Sequence, residues 1–235
     1  MQFDAESIFG PSGLLAQYLP GYEFRQEQLV MAEHIAHALA GQRHALVEAG
    51  TGVGKSLAYL IPLIYYAAGE GKRAVVATHT ITLQEQLFTK DLPFLAQALP
   101  VEFTAEVFKG RRNYLCLARL QEQTQKNLLH LTDPSWRQLL DWAAATTTGD
   151  RSEVPQIPTA IWNVVCCEKE TCPEELCPLF DQCFYWKLRH KLSRAQLIVT
   201  NQALFLADLQ AGGSILPKYD AVVIDEAHNL EEVAT

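Results

Sequence analysis

A glycine-rich segment at residues 49–56, AGTGVGKS, constrains the fold of this chain more than any other feature. It follows the apolar run at 44–48 (HALVE), which we interpret as a short buried strand, and it opens a helical pattern that extends from about residue 54 to residue 68. Glycines let the backbone turn its N–H groups toward phosphate oxygens, and a helix start adds free donors with partial positive charge. The segment has the spacing of a P-loop, with an alanine where the strict pattern begins with glycine. The alternative is a glycine-rich turn that binds no ligand.

The positions of this loop predict the contacts of a bound nucleotide. Lys55 can reach the β- and γ-phosphates, and the Ser56 hydroxyl can bind Mg²⁺. Upstream, Arg25 and Gln28 stand at the start of a predicted helix over 26–40, where they could bind a purine edge. Arg and Gln are also common at exposed helix starts. The predicted ATP-binding residues are Arg25, Gln28, Ala49, Gly50, Thr51, Gly52, Val53, Gly54, Lys55 and Ser56.

An acidic motif follows the last strand-like run of the sequence, VVIDEAH at 222–228. An apolar strand that ends in Asp-Glu places two carboxylates at the carboxyl edge of a parallel sheet, where such folds bind ligands. We expect Asp225 to hold Mg²⁺, Glu226 to orient or deprotonate the attacking water, and His228 to sense the nucleotide state. The alternative is a simple acidic helix cap. Together with the P-loop, the motif makes ATP hydrolysis the leading chemistry, with Lys55, Asp225, Glu226 and His228 as catalytic residues.

The remaining pattern indicates an α/β fold with a parallel sheet covered on both faces. Strand-like runs occupy 74–78, 196–200 and 221–225, and a helix is predicted over 81–90. This alternation of strands and helices stops from residue 109 to about residue 191. Helical pieces are predicted there over 114–131, 135–145 and 184–194, with a proline-containing coil at 154–158. We interpret this stretch as an insertion, which gives three parts: 1–108, 109–195 and 196–235.

The net charge of −8 argues against a nucleic acid partner, but its distribution does not. Residues 105–195 hold 12 Lys and Arg against 11 Asp and Glu, whereas the rest of the chain holds 7 against 16. Aromatic residues lie among these cations, as expected of a channel for single-stranded DNA. A solvated helix face and core packing are the alternatives. The candidate DNA contacts in this stretch are Arg111, Arg112, Tyr114, Tyr185, Lys187 and Arg189.

Apolar runs and cysteines exclude several other classes. No apolar run approaches the roughly 18 residues that a membrane helix needs, and residues 1–10 lack the order of a signal peptide. We therefore expect a cytoplasmic, nucleoid-associated protein without a membrane partner, and a monomer. Six cysteines without a secretory signal indicate thiolate chemistry rather than disulfides. Three of them have the spacing C-x4-C-x5-C at 172–183, which lacks the tight pairs of zinc ribbons.

Several motifs together resemble the superfamily 2 DNA helicases. These are the P-loop, the DEAH sequence at 225–228, THTITLQEQL at 78–87 and VTNQALFLADL at 199–209. The resemblance is strongest to the DinG branch of the DinG/XPD iron–sulfur family and covers essentially the whole chain. It implies a RecA-like motor domain that couples ATP hydrolysis to 5′→3′ movement along single-stranded or forked DNA. One departure is visible: the family usually has Asn-His where this chain has Asn201-Gln202.

The resemblance also implies ligands and DNA contacts. In the family a [4Fe–4S] cluster is held by one cysteine after a GRxNYLC-like segment and by three at the later spacing, which correspond here to Cys116, Cys172, Cys177 and Cys183. Cys166 and Cys167 are left over, and we interpret them as small buried side chains. The alternative is that one of them replaces Cys172 as a ligand. The DNA backbone is expected to meet Thr78, Thr80, Gln84 and Asn201.

Motor action in this family needs a second RecA-like domain that supplies an arginine finger, and none follows residue 235. We therefore expect residues 1–235 alone to bind ATP weakly and not to unwind DNA. Two other functions stay open. One is a zinc-stabilised P-loop ATPase switch without a DNA role, and the other is a truncated, non-catalytic nucleic-acid-binding module.

Overall fold

A computed structural model describes residues 3–50, 52–126 and 133–234 of the chain. The chain divides into two compact units. The sheet unit comprises Met1–Phe108 and Arg194–Thr235, and the inserted unit comprises Lys109–Ser193, in both cases as far as the residues are described. The chain thus leaves the sheet unit after Phe108 and returns to it at Arg194.

One parallel sheet organises the sheet unit. Its described strands are β1 (Ala74–Thr78), β2 (Ala105–Val107), β3 (Leu197–Asn201) and β4 (Ala221–Ile224), in the order β2-β3-β1-β4. Every pairing is parallel, and Ala74 of β1 is in register with Leu197 on one side and Ala221 on the other. The predicted α/β fold with a parallel sheet is confirmed. Because parallel strands end at the same edge, residues 78, 201 and 225 emerge close together.

Helices connect and cover these strands. In the sheet unit they are α1 (Ala5–Phe9), α2 (Leu14–Tyr18), α3 (Gln26–Ala40), α4 (Lys55–Gly69), α5 (Ile81–Gln86), α6 (Leu92–Ala98), α11 (Gln202–Gln210) and α12 (Leu230–Ala234). A π-helical turn, Leu87–Asp91, joins α5 to α6, so the helix predicted over 81–90 continues with altered winding. None of the described helices is both long and apolar enough to cross a membrane.

The core of the sheet unit forms around α4. Residues Ala58–Ala67 of this helix are all buried, and so are all five residues of β1. Helix α3 packs on α4 and contributes Leu29, Met31 and Ala32 to the same core. A helix that is apolar on every side belongs in the middle of a fold. This burial fixes the start of α4, and hence Lys55, relative to the sheet.

The strand predicted over residues 44–48 is wrong. The described chain has no regular structure from 43 to 50, and the side chain of Leu46 is 96% exposed. A run of three apolar residues favours an extended chain but does not by itself supply a neighbouring strand to pair with. The P-loop therefore follows an irregular segment.

The inserted unit is mainly helical. Its described helices are α7 (Leu117–Lys126), α8 (Pro134–Ala145), α9 (Thr159–Val165) and α10 (Phe184–Leu192). The helix predicted from 114 begins only at Leu117, and residues 127–131 of that prediction lie outside the described residues. Helix α9 was not predicted from the sequence.

A separate core and a buried ion pair hold the inserted unit together. Trp136, Leu139 and Trp162 pack in one cluster. The amine of Lys109 lies 2.7 Å from the Asp150 carboxylate, with only 2% of the Lys109 side chain exposed. Both charges are largely shielded from water, so losing either partner would leave the other buried and uncompensated.

Candidate functional site

The P-loop turns sharply before α4. Gly52 and Gly54 adopt positive φ angles of 83° and 84°, a region that side chains disfavour. Lys55 is the first residue of α4, so the unpaired N–H groups of the helix start face the same space as the loop. Thr51 lies outside the described residues. Ala49, Gly50 and Val53 belong to the described part of the loop and leave its backbone partly accessible.

Gln28 supports this loop from α3. Its side chain is 4% exposed, and its Nε2 donates a hydrogen bond of 2.9 Å to the carbonyl of Gly54. A Cβ on Gly54 would lie 2.2 Å from that nitrogen and would displace the Gln28 amide, and the positive φ of Gly54 also disfavours a side chain there. Arg25 is exposed and pairs with Glu23 at 3.3 Å. The structure thus places Gln28 against the loop backbone, and its predicted contact with a purine remains a proposal.

An ion pair joins the P-loop to the acidic motif. The Lys55 amine lies 2.7 Å from Oε1 of Glu226, although 171 positions separate the two residues. Both side chains are about one-third exposed, at 28% and 31%. The cation that is predicted to bind phosphate and the carboxylate that is predicted to act on water therefore meet in one place.

Tyr59, which the sequence analysis did not identify, connects the two predicted Mg²⁺ ligands. Its hydroxyl donates to Oδ2 of Asp225 at 3.3 Å and is also hydrogen-bonded to the Ser56 side chain. A single phenol oxygen thus touches both predicted ligands, which brings the Ser56 hydroxyl and the Asp225 carboxylate to within a few ångströms of each other. Spacing along α4 is the signal that could have revealed it, since residues 55, 56 and 59 share one face of a helix.

The two carboxylates of the motif have opposite electrostatic surroundings. Burial and the neighbouring Glu226 carboxylate raise the pKa of Asp225 above its ordinary value. The hydrogen bond from Lys55 lowers the pKa of Glu226. The Lys55–Glu226 pair therefore stabilises the fold above the ordinary glutamate pKa, and this contribution is lost as the pH falls through the lowered value. A charged, partly buried Asp225 is destabilised, and a bound cation would relieve that cost.

His228 and Gln202 complete the surroundings of Glu226. The His228 Nδ1 lies 3.6 Å from Oε2 of Glu226, and the ring is largely exposed. Nε2 of Gln202 donates to the backbone carbonyl of Asp225 at 2.7 Å. His228 is therefore placed where it can follow changes at Glu226 while remaining open to other groups.

The DNA-contact candidates of the sheet unit divide into buried and accessible residues. Thr78 and Gln84 are fully buried. The Gln84 amide donates to the carbonyls of Phe108 and Val199, which ties α5 to the ends of β2 and β3. Thr80 is exposed and caps α5, and Asn201 is partly exposed and caps α11. Buried side chains cannot meet a phosphate backbone in this arrangement, so only Thr80 and Asn201 offer an accessible side chain.

Thiols gather in the inserted unit around the N-terminus of α7. The thiol of Cys116 is hydrogen-bonded to that of Cys167, which lowers the pKa of Cys116 to about 6. Burial raises the pKa of Cys183, and the thiols of Cys116 and Cys172 add to the effect. Yet within the described ranges no three His, Cys, Asp or Glu side chains are arranged so that they could hold a metal ion. A fourth predicted ligand, Cys177, is partly exposed at the end of a short 3₁₀ turn.

The chemistry of these donors nevertheless fits a sulfur-rich, anionic group. Arg111 interacts electrostatically with Cys167 and Cys172, and its buried Nη1 has no hydrogen-bond partner. The guanidinium is held over the Tyr185 ring, 4.4 Å from its centroid. A buried cationic donor without a partner, set beside thiols, is the environment in which a cluster sulfur would be stabilised. The Arg111 guanidinium and the neighbouring cysteine thiols are the groups that fit such a cluster chemically.

The DNA-contact candidates of the inserted unit also separate by burial. Tyr114 and Tyr185 are buried, and the Tyr114 hydroxyl accepts a hydrogen bond from the Lys109 backbone. Arg112 is largely exposed, with its guanidinium 3.5 Å from Glu168. Lys187 is exposed on α10, and Arg189 is partly exposed on the same helix. The Arg111 side chain is 15% exposed. Among the predicted cations, Arg112, Lys187 and Arg189 therefore offer accessible side chains to a polyanion.

Comparison with known families places these features in context. A family profile described as "DEAD/DEAH box helicase" matches residues 29–149, and a second one, DEAD_2, matches residues 159–235. The first match alone covers just over half of the chain. The chain belongs to the DEAD/DEAH box helicase family.

Individual relatives of this helicase-family chain agree with that assignment. It is 35% identical to "ATP-dependent DNA helicase YoaA" of Escherichia coli over 97% of its length, and 36% identical to "ATP-dependent helicase DinG" of Mycobacterium tuberculosis over 90%. It is also 32% identical to "3'-5' exonuclease DinG" of Bacillus subtilis over 96%. The chain spans only 36%, 35% and 24% of these relatives.

Proposed function

We propose that the protein is the ATP-hydrolysing part of a DNA helicase. The observation that carries this proposal is the 2.7 Å contact between Lys55 and Glu226, which unites the P-loop with the acidic motif. The names of the relatives support ATP as the nucleotide and DNA as the partner. Single-stranded or forked DNA, 5′→3′ movement and a monomeric state form part of the proposal, by resemblance to the family.

Each residue of the site has a defined task in the proposed reaction. Phosphate oxygens compete with Glu226 for Lys55, so nucleotide binding releases the carboxylate that acts on water. Mg²⁺ held by Ser56 and Asp225 would neutralise charge on the phosphates. Tyr59 keeps these two ligands together, and His228 follows the state of Glu226. The exposed cations of the inserted unit, with Thr80 and Asn201, would bind the DNA backbone.

Steady-state ATP hydrolysis with and without DNA tests this function. We expect hydrolysis by the protein at its natural length to rise on addition of single-stranded DNA, with a smaller rise for blunt duplex of the same sequence. If the protein contacts DNA phosphates, the stimulation of ATP hydrolysis by DNA should decrease as the salt concentration rises. Equal rates with and without DNA would instead support the alternative of a nucleotide switch.

The cysteines carry the second part of the proposal, a [4Fe–4S] cluster held by Cys116, Cys172, Cys177 and Cys183. Such a cluster requires four thiolates and would brace the inserted unit. After anaerobic purification we expect brown protein with about four iron and four sulfide per chain. Replacing Cys116 by Ser should release the iron, whereas replacing Cys166 by Ser should not, because the Cys166 thiol points to the Asn163 carbonyl. Colourless protein with bound zinc would favour the zinc-stabilised switch.

A further inference from the structure

Gln202 follows Asn201 in the segment VTNQALFLADL at 199–209. It is the first residue of α11 and comes directly after β3. Its side chain is fully buried, although glutamine is normally found at the surface. A polar side chain that is buried at this point calls for a role, and its Nε2 makes hydrogen bonds that can explain one, whereas its buried Oε1 has no hydrogen-bond partner.

The amide of Gln202 donates hydrogen bonds to the backbone of the acidic motif. Its Nε2 donates to the Asp225 carbonyl at 2.7 Å and approaches the Glu226 carbonyl at 3.3 Å. The Asp225 N–H in addition donates to the Ala77 carbonyl of β1 at 2.9 Å. The turn that carries both carboxylates is thus held by hydrogen bonds to a strand and to a side-chain amide.

This turn needs such support because its backbone is strained. Glu226 adopts φ 53° and ψ 46°, a left-handed conformation that a residue with a side chain rarely takes. Strained backbone persists where the surrounding structure over-determines it. Asn229 adds a second amide, whose Nδ2 donates to the same Glu226 carbonyl at 3.3 Å. The conformation directs the Glu226 side chain to Lys55.

We propose that Gln202 is a positioning residue, which holds Asp225 and Glu226 in the geometry that ATP hydrolysis requires. This inference rests on the proposed function. A neutral amide suits the task, because it donates two hydrogen bonds at every pH without placing a charge beside Asp225. Asn201 is the last residue of β3 and caps α11, so a DNA contact at Asn201 would act directly beside Gln202, which holds the carboxylates.

A variant without the amide tests whether Gln202 positions Asp225 and Glu226 or only stabilises the fold. Gln202→Leu keeps the approximate size of the side chain but removes both donors. We expect kcat for ATP hydrolysis by the protein at its natural length to fall between about tenfold and a hundredfold, the range that small misplacements of catalytic groups produce. KM for ATP should stay within about twofold, because the P-loop contacts are untouched. Gln210→Leu, an exposed position at the end of the same helix, is the matched control and should match the parent.

Partial rescue gives the second measurement. Gln202→His retains one donor, and we expect its kcat to lie between those of the parent and Gln202→Leu; this variant also decides the matter if Gln202→Leu fails to fold. A lowered Tm with kcat unchanged in folded protein, or a proportional rise in KM, would overturn the proposal. Parent protein without ATP hydrolysis would overturn the proposed function as well, whereas an active parent with equally active Gln202 variants would overturn the positioning role alone.

Discussion

Replacing Lys55 by Ala should reduce ATP hydrolysis by at least about a hundredfold, comparable to the removal of one preorganised donor from a charged transition state. Lys55 is the first residue of α4 and the cation that contacts Glu226. Its loss removes the positive charge at the predicted phosphate site and leaves Glu226 without its partner. Steady-state hydrolysis at saturating Mg²⁺ and ATP measures the effect.

Lys90→Ala provides the control for this experiment, since Lys90 is exposed and lies outside the site. It should hydrolyse ATP at the parent rate. A second consequence concerns Glu226: without Lys55 its pKa should rise toward the ordinary glutamate value, because the hydrogen bond that lowers it is gone. Hydrolysis that survives in Lys55→Ala would show that the loop is a turn without a nucleotide role.

Replacing Glu226 by Gln should separate binding from chemistry. The amide keeps the size of the side chain but cannot accept a proton from water, so we expect kcat to fall by about 10²- to 10⁴-fold. ATP binding should persist or strengthen, because Lys55 no longer has a competing carboxylate. Single-turnover hydrolysis together with equilibrium nucleotide binding measures the two effects independently.

Glu102→Gln, a neutralisation at an exposed position before β2, controls for the change in net charge. If Glu226→Gln lost ATP binding and hydrolysis to the same extent, Glu226 would hold the site together without acting on water. If it retained the parent rate, another group would have to activate water, and the task assigned to the acidic motif would be wrong.

The sequence predicted the sheet and the two motifs because each has a local signal. Helix α3 was predicted with its observed ends, 26 and 40, and β1 was predicted over its full length, 74–78. These segments combine apolar periodicity with clear boundaries. The P-loop and the acidic motif were located by residue spacing and by the apolar and helical patterns beside them, and the parallel sheet places the acidic motif at the edge where its strands end.

The errors arose where tertiary partners decide the outcome. The run at 44–48 has an apolar pattern, but the described structure supplies no strand beside it, and Leu46 remains exposed. The predicted DNA contact of Gln84 stays a prediction, and its amide is buried against the carbonyls of Phe108 and Val199. Tyr59 was not identified from the sequence, and the partner of Gln202 was not predicted, because Asp225 lies 166 and 23 positions away from these residues. The presence of a polar residue in a motif does not reveal whether its side chain faces solvent or the protein interior.

Equilibrium binding of ATP, measured by calorimetry in Mg²⁺ and again in EDTA, tests most directly whether the P-loop and the acidic motif form one site. The protein at its natural length should bind ATP with Mg²⁺, and binding should weaken markedly in EDTA and in Asp225→Ala. Asp220→Ala should bind as the parent does, because Asp220 lies at the other end of β4, where it is hydrogen-bonded to the Arg73 backbone. Equal affinity for ATP in Mg²⁺, in EDTA and in the Asp225 variant would contradict the assignment of a Mg²⁺-dependent nucleotide site.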